Sequence, residues 1–246
     1  MLFPNSLQKS KKFVIFIMAL FACASSLASI AILPPKENDL TSMALDIKAA
    51  PPSNIDIISK PILFDKERIK LTRQYRLEHY GIKSKSIVIQ PRIIVLHWTG
   101  SKNLDSPYNT FYPATLKGRP ELTKGGALNV SAHFLVDRDG TIYQLMPTNW
   151  MARHTIGLNN IAIGIENVGG VDNQEDLTQA QVDANARLVR YLKMKYPKIK
   201  YLIGHYEYGK FRHTHWWQEK DYNYFTVKTD PGEKFMRLVR GALSSQ

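Results

Sequence analysis

Residues 92–99 read RIIVLHWT, and this stretch decides the fold class. Its continuous run of apolar, mostly β-branched side chains is typical of a strand that is buried on both faces of a sheet. The runs IAIGI at 161–165 and YLIG at 201–204 predict two more buried strands. Residues 130–136 and 141–146 lie on either side of a glycine-containing turn and predict two further strands.

Helices are predicted between these strands. An aspartate at its start and a glycine after its end predict a helix over 65–80. A capping box, Thr178-Gln179-Ala180-Gln181, begins a second helical pattern that ends before Pro197. Pro231 can open a last helix, because its missing N–H does no harm in the first turn. Strands that alternate with helices indicate an α/β fold.

The composition predicts one globular domain with a basic surface. Of the 246 residues, 44% are apolar, which is enough for one sizeable core. Prolines among polar residues predict a linker over 29–60, so the globular domain is expected over 61–246. The net charge of +12 suits an anionic partner. We expect no nucleic-acid binding, since no basic cluster interleaved with aromatic residues supports it.

Residues 1–28 have the pattern of a secretory signal peptide. A basic start is followed by an apolar stretch over 13–22 and by small residues up to Ala28. Two alternatives stay open. The apolar character extends to Leu33 and is long enough for an uncleaved membrane anchor, and Cys23, the single cysteine, lies in a sequence that resembles a lipoprotein processing box. We therefore expect an exported protein that is periplasmic, secreted or anchored to the envelope.

Three candidate metal ligands lie at the ends of predicted elements. His97 and His205 each follow a buried strand, and Asp230 precedes Pro231. Two imidazoles and a carboxylate suit Zn²⁺ and leave a fourth position for water. Each residue also has a simpler explanation, because strand-end histidines are usually ordinary polar residues and an aspartate before proline is a good helix cap. Their distance in sequence does not establish that they meet.

Four motifs in one order carry a family resemblance over about 90–240: IVLHWT at 94–99, SAHFLVDRDG at 131–140, NIAIGIE at 160–166 and KTDPG at 228–232. This series resembles the type-2 N-acetylmuramoyl-L-alanine amidases, a family that includes peptidoglycan recognition proteins. The resemblance implies a single α/β domain with a central mixed β-sheet flanked by helices. It implies a monomeric enzyme that hydrolyses the amide between N-acetylmuramic acid and L-alanine in peptidoglycan or muropeptides.

The resemblance also implies the catalytic residues. One Zn²⁺ ion would be bound by His97, His205 and Asp230. Glu166 falls where relatives keep a glutamate that deprotonates the attacking water, and Lys228 where a lysine stabilises the oxyanion. A glutamate directly after a buried strand is costly unless it points into a site, although a solvent-facing carboxylate is the alternative. Without the motif, Lys228 would be a solvated surface charge.

Further residues are expected around the substrate groove. The resemblance assigns Trp98, His154 and Asn160 to substrate binding, although a loop histidine can equally be exposed. His133, within a predicted strand, is expected to be a structural, hydrogen-bonded histidine.

One departure from the family pattern is an insertion between the second histidine and the aspartate, which lie 25 residues apart. The insert, residues 206–227, is rich in aromatic side chains and contains His213 and His215. The aromatic rings either stack on sugar or peptide or pack the insert onto the domain. We prefer His205 over these two histidines as the second ligand, because a strand end is a rigid platform.

A non-catalytic peptidoglycan-binding module is the alternative function. Some relatives keep the fold and bind peptidoglycan without cutting it, generally after losing a metal ligand. All ligand positions and both catalytic positions are filled in this sequence. The pattern therefore favours the enzyme.

Overall fold

The computed structural model describes residues 37–47, 55–116, 118 and 120–244. The predicted signal peptide, 1–28, and Cys23 lie outside the described residues. Residues 34–246 cluster as one compact unit, which contains every described residue. Within the described ranges, no helix is both long enough and apolar enough to cross a membrane.

Six strands form one mixed sheet in the order β1-β4-β3-β5-β2-β6. β3 and β4 are antiparallel, and all other neighbours are parallel. The three buried strands and the pair around the turn are confirmed, whereas the edge strand β1 was not predicted. The strands are β1 (Ile57–Ser59), β2 (Ile93–Trp98), β3 (Phe134–Val136), β4 (Ile142–Gln144), β5 (Ala162–Asn167) and β6 (Tyr201–Gly204).

In the part of the chain that the structure describes, four α-helices accompany the sheet: α1 (Lys66–Tyr80), α2 (Asp105–Phe111), α3 (Gln179–Lys195) and α4 (Glu233–Ser244). The predicted caps of the first and third helices are confirmed. The Asp65 carboxylate accepts the Arg68 N–H at 2.8 Å, and Gly81 ends α1 with a φ of +69°. The capping box of Thr178 and Gln181 is formed at the start of α3. Short 3₁₀ turns cover Glu37–Met43, Pro120–Gly125, Val171–Asn173 and His205–Phe211.

The start of the last helix corrects the prediction. α4 begins at Glu233, not at Pro231, because Gly232 has a φ of +89°, which is not helical. The carboxylate of Glu175 accepts the N–H groups of Glu233 and Lys234 at 3.1 and 3.0 Å. A distant side chain thus caps the helix, which leaves the carboxylate of Asp230 available for other contacts.

The described part of the predicted linker, 29–60, packs against the domain. Leu40 and Met43 are each 1% exposed and pack against the sheet, and the Leu45 N–H donates to the Lys200 carbonyl at 2.8 Å. β1 pairs with β4 at the opposite edge of the sheet. These apolar residues are too few to show a periodic pattern, and they become part of the core only through tertiary contacts.

The sheet is covered on both faces. Side chains alternate along β2, so Ile94 and Leu96 face α3 and α4, whereas Ile93 and Val95 face the Glu37–Met43 turn and the insert. This two-sided burial explains why the strand reads as a continuous apolar run. The parallel strands β5, β2 and β6 are neighbours, and their carboxyl ends lie at one edge of the sheet, where open α/β sheets bind ligands.

Candidate metal centre and active site

His97, His205 and Asp230 meet at the carboxyl edge of the sheet. Nδ1 of His97 lies 3.1 Å from Nδ1 of His205 and 3.1 Å from Oδ2 of Asp230, and the His205–Asp230 distance is 3.0 Å. Ligand atoms at ~2.0–2.1 Å from a tetrahedral zinc ion lie about 3.3 Å apart. The three atoms face one another at nearly this spacing, so they could hold a metal ion.

The charge state of the three residues also fits a cation. Burial, followed by the neighbouring His205, lowers the pKa of His97 to about 4. Burial would raise the pKa of Asp230, but the two histidines outweigh it through charge and hydrogen bonds, so this pKa lies below its ordinary value. At neutral pH His97 is therefore a neutral imidazole with a lone pair to donate, and Asp230 is a carboxylate.

His97 is held by the sheet and by a buried chain of amides. It is 2% exposed, and Asn167 of the adjacent strand β5 donates through Nδ2 to its carbonyl at 3.0 Å. Asn185 of α3 donates in turn to Oδ1 of Asn167 at 2.6 Å. The backbone at the end of β2 is thus tied to both the next strand and the helix behind it.

His205 follows β6 and begins the 3₁₀ turn His205–Phe211. The carboxylate of Glu207, which is almost fully buried, accepts the Gly204 N–H at 2.9 Å. Arg240 of α4 binds the same carboxylate at 2.6 Å. This ion pair holds the turn that aims the second imidazole at the first.

Asp230 lies in an irregular segment that precedes α4. The Tyr206 N–H donates to the Asp230 carbonyl at 2.9 Å, so the third candidate ligand is bonded to the residue after the second. Thr229 donates through its hydroxyl to Oδ1 of Asn173 at 3.1 Å. The segment depends on contacts with two loops that are remote in sequence.

A cavity of about 450 Å³ opens beside the cluster, and both predicted catalytic residues line it. Glu166 is the register partner of His97 in the parallel ladder of β5 and β2. Partners in a ladder direct their side chains to the same face, with the strands about 4.8 Å apart. Lys228 is remote from Glu166 in sequence. It lies two residues before Asp230 and is half-buried.

The predicted groove residues divide into two sets. Trp98 and His154 line the cavity, and the ring of Trp98 lies against Gly170. Asn160 is half-buried but is not among the described residues that line the cavity, whereas its neighbour Asn159 is. Asn159 accepts the N–H groups of residues 154 and 155 through Oδ1 at 2.8 and 2.7 Å, so it shapes the loop that carries His154.

His133 is structural, as expected. Nε2 lies 2.8 Å from the Trp150 carbonyl, to which it donates, and Nδ1 accepts the Gly164 N–H at 3.0 Å. Both nitrogens are used inside the core, where burial lowers the pKa of His133 to about 4. His133 therefore joins β3 to β5 and has no nitrogen left for a metal.

Arg153 is a cavity residue that sequence reasoning missed. It is 3% exposed, and its guanidinium donates to the carbonyls of Leu122 and Gly126 and to the hydroxyl of Tyr224. It ties the Pro120–Gly125 turn and the insert to the cavity wall. One sequence signal could have identified it. Arg153 directly precedes His154, and a cation at that position had no predicted partner.

The insert packs onto the domain, which supports the second of the two alternatives. Tyr208 is buried in one core cluster with Ile93 and Val95 of β2, and Glu219 forms a buried pair with His79 of α1 at 2.8 Å. Among the aromatic residues of the described insert, Tyr224 lines the cavity. His213 and His215 are exposed, and neither belongs to the candidate metal cluster.

Comparisons with known proteins identify the family of this chain. The model of the family described as N-acetylmuramoyl-L-alanine amidase matches residues 74–233. The chain is 30% identical over 105 residues to an endolysin of Klebsiella phage KP32, covering 39% of this chain and 69% of that protein. It is 32% identical over 84 residues to an endolysin of Enterobacteria phage K11, covering 32% of this chain and 56% of that protein.

A solved structure with a similar fold is an N-acetylmuramoyl-L-alanine amidase from Clostridium intestinale. Its sequence is 21% identical, with a TM-score of 0.49, and the alignment covers 78% of this chain and all of that chain.

Proposed function

The chain belongs to the N-acetylmuramoyl-L-alanine amidase family and is a peptidoglycan amidase, and we propose that it hydrolyses its substrate with one zinc ion bound by His97, His205 and Asp230. The observation that carries the zinc proposal is the mutual approach of three ligand atoms to within 3.1 Å. Two neutral imidazoles and a carboxylate are ligands that zinc prefers, and three protein ligands leave a position for catalysis.

The bound ion would polarise the amide carbonyl and lower the pKa of a water molecule to about 7. Glu166 is the register partner of His97 and lines the cavity, which supports the inference that it takes a proton from the attacking water. The same carboxyl group then returns the proton to the nitrogen of L-alanine as the C–N bond breaks. Water thus supplies OH to the carbonyl carbon and H to the leaving amine.

Lys228 supplies positive charge for the oxygen of the scissile carbonyl. Lys228 as a whole is half-buried in the cavity wall, where charge interactions are stronger than in water. It has only Thr229 between itself and Asp230, so the segment that brings the third ligand also brings the cation. We infer that Lys228 stabilises the negative oxygen of the tetrahedral intermediate.

The substrate is expected to lie along the cavity wall that contains Trp98 and His154. The half-buried indole of Trp98, supported by Gly170, offers an apolar face next to the reacting bond. Arg153 adds a buried positive charge to the same wall, which suits an acidic peptide. The part of Asn160 in substrate binding stays a prediction from the family resemblance.

Export would bring the enzyme to peptidoglycan, which lies outside the cytoplasmic membrane. We propose that the basic and apolar pattern of residues 1–28 directs the protein to the periplasm, to the medium or to an envelope anchor. We also propose a monomer, because the described metal cluster and cavity are built from one chain.

Mass spectrometry of murein digests tests the proposal. Purified protein should release free stem peptides, a chelator should abolish the release, and added Zn²⁺ should restore it. His97→Ala should bind no zinc and release no peptide, while the exposed His213→Ala serves as the matched control. Retention on murein without release of peptides in the presence of zinc would favour the alternative of a non-catalytic binding module.

A further inference from the structure

The second ring nitrogen of His97 contacts another histidine. Nδ1 of His97 faces His205 and Asp230, whereas its Nε2 lies 3.0 Å from Nδ1 of His154. The two rings meet edge to face, with centroids 5.1 Å apart and planes at 88°. The hydroxyl of Thr155 is 3.5 Å from the same Nε2, which is too long for a strong bond. His154 is therefore the main partner of this nitrogen.

Metal binding determines which nitrogen carries the proton. A neutral imidazole has one N–H and one lone pair, so a lone pair on Nδ1 of His97 requires the proton on Nε2. A ligand histidine usually donates its other N–H to a carboxylate, a carbonyl or water, which fixes the tautomer and the ring. Here the acceptor at hydrogen-bond distance is the Nδ1 lone pair of His154.

The ring of His154 is itself held in place. A Cβ atom on Gly164 would lie 2.7–2.9 Å from three atoms of this ring, so the imidazole rests directly on the glycine backbone of β5. The backbone N–H of His154 donates to Oδ1 of Asn159 at 2.8 Å, which holds the loop that carries the ring. The contact with Gly164 and the bond of the loop to Asn159 together hold the ring beside Nε2 of His97.

We propose that His154 is a positioning residue for the metal, because its Nδ1 accepts the Nε2 proton of His97 and so holds the His97 Nδ1 lone pair towards the ion. The inference rests on the proposed zinc function. It gives His154 a part in metal affinity besides its place in the substrate groove. It also explains why a glycine occurs at 164, inside a buried strand.

Two substitutions separate the hydrogen bond from the volume of the ring. His154→Leu replaces the imidazole with an apolar side chain of similar size and removes the acceptor. In the His154→Asn variant, Oδ1 of the introduced side chain can take the position of Nδ1. Zinc affinity is measured by competition with a chromogenic chelator, and thermal unfolding monitors the fold. We expect about a 10–100-fold loss of zinc affinity for the leucine variant, as for other partners of ligand histidines. The asparagine variant should stay close to wild type.

Two controls accompany these variants. His213→Leu changes an exposed histidine of the insert and should leave zinc affinity unchanged. Gly164→Ala should displace the ring of His154 and lower zinc affinity without touching a ligand, whereas Gly241→Ala on α4, where nothing lies within 4 Å of the new methyl group, should not.

The proton can also be located directly, so the test survives a variant that fails to fold. In zinc-loaded wild type with ¹⁵N-labelled imidazoles, NMR should show His97 protonated at Nε2 and coupled across the hydrogen bond to Nδ1 of His154. A folded His154→Leu variant with wild-type zinc affinity, or zinc-loaded wild type without coupling between Nε2 of His97 and Nδ1 of His154, would overturn the inference and leave the zinc proposal intact. Failure of the wild type to bind zinc would instead refute the proposed function.

Discussion

His97, Glu166 and His205 lie at the carboxyl ends of adjacent parallel strands, whereas Lys228 and Asp230 lie in an irregular segment that follows the insert. The backbone ladder of β5, β2 and β6 holds the strand-end half of the site. The segment half has no ladder and is held by side chains from elsewhere, such as Glu175 and Asn173.

The difference predicts how each half responds to substitution. Side chains at strand ends do not support the fold, so their removal should cost chemistry and little stability. Contacts that hold the segment half carry both the fold of that region and the position of the third ligand. Their removal should lower the free energy of unfolding and, less strongly, zinc affinity.

The largest effect is expected for Glu166→Gln. The substitution removes the proposed base, which typically contributes about 10²–10⁴-fold to the rate, and retains the three ligands. Zinc content by native mass spectrometry and the unfolding temperature should match wild type, while release of stem peptides falls by that factor. An unaltered rate would remove Glu166 from the mechanism and would leave the strand-end half with ligands alone.

Lys228→Met should lower the rate by about 10²–10³-fold, since loss of one group that stabilises an oxyanion has effects of this size. The residue does not cap a helix, so the unfolding temperature should change little. Steady-state rates on purified muropeptide report the loss, and it should fall on kcat more than on KM. The exposed Lys102→Met is the matched control, and an equal loss there would point to general attraction of an acidic substrate.

The strand-end half could largely be predicted from the sequence. The runs at 92–99, 161–165 and 201–204 predict buried strands, and local capping signals predict two helices, because these depend on residues close in sequence. The order of the strands, which brings His97 next to His205, depends on contacts across the whole chain. Only the family resemblance suggested that the ligands meet.

Local sequence signals did not predict the segment half or the packing of residues 37–47. The cap of α4 is Glu175, which lies 58 residues before the helix, so Pro231 wrongly predicted the helix start. Leu40 and Met43 became core residues through contacts with β6 and its surroundings, not through any local pattern. The contact of His97 with His154 also joins residues 57 apart, and no spacing rule predicts it.

A smaller effect is expected in the insert for Glu219→Ala. The substitution leaves Nδ1 of His79 without its partner in a buried place, which costs about 1–3 kcal/mol of unfolding free energy. Denaturant unfolding measures the loss. The control is the exposed Glu78→Ala, which changes the neighbour of His79 on α1. Equal stability of the two variants would show that the insert does not depend on this contact, and the segment half would need another anchor.

The smallest effect is expected for Glu175→Ala, which tests the connection between the helix cap and the third ligand. The variant loses the acceptor of two N–H groups at the start of α4, and a lost cap of this kind costs about 1 kcal/mol. Because Asp230 lies three residues before Glu233, a loosened helix start should also weaken zinc binding. The control is Glu67→Ala, whose carboxylate lies in the first turn of α1, where Asp65 is already the cap. If Glu175→Ala lowers stability but leaves zinc affinity at the wild-type level, the contacts of Asp230 with Tyr206 and the two histidines are enough to set its position. The position of the third ligand would then be as independent of the helix cap as the positions of the ligands at the strand ends.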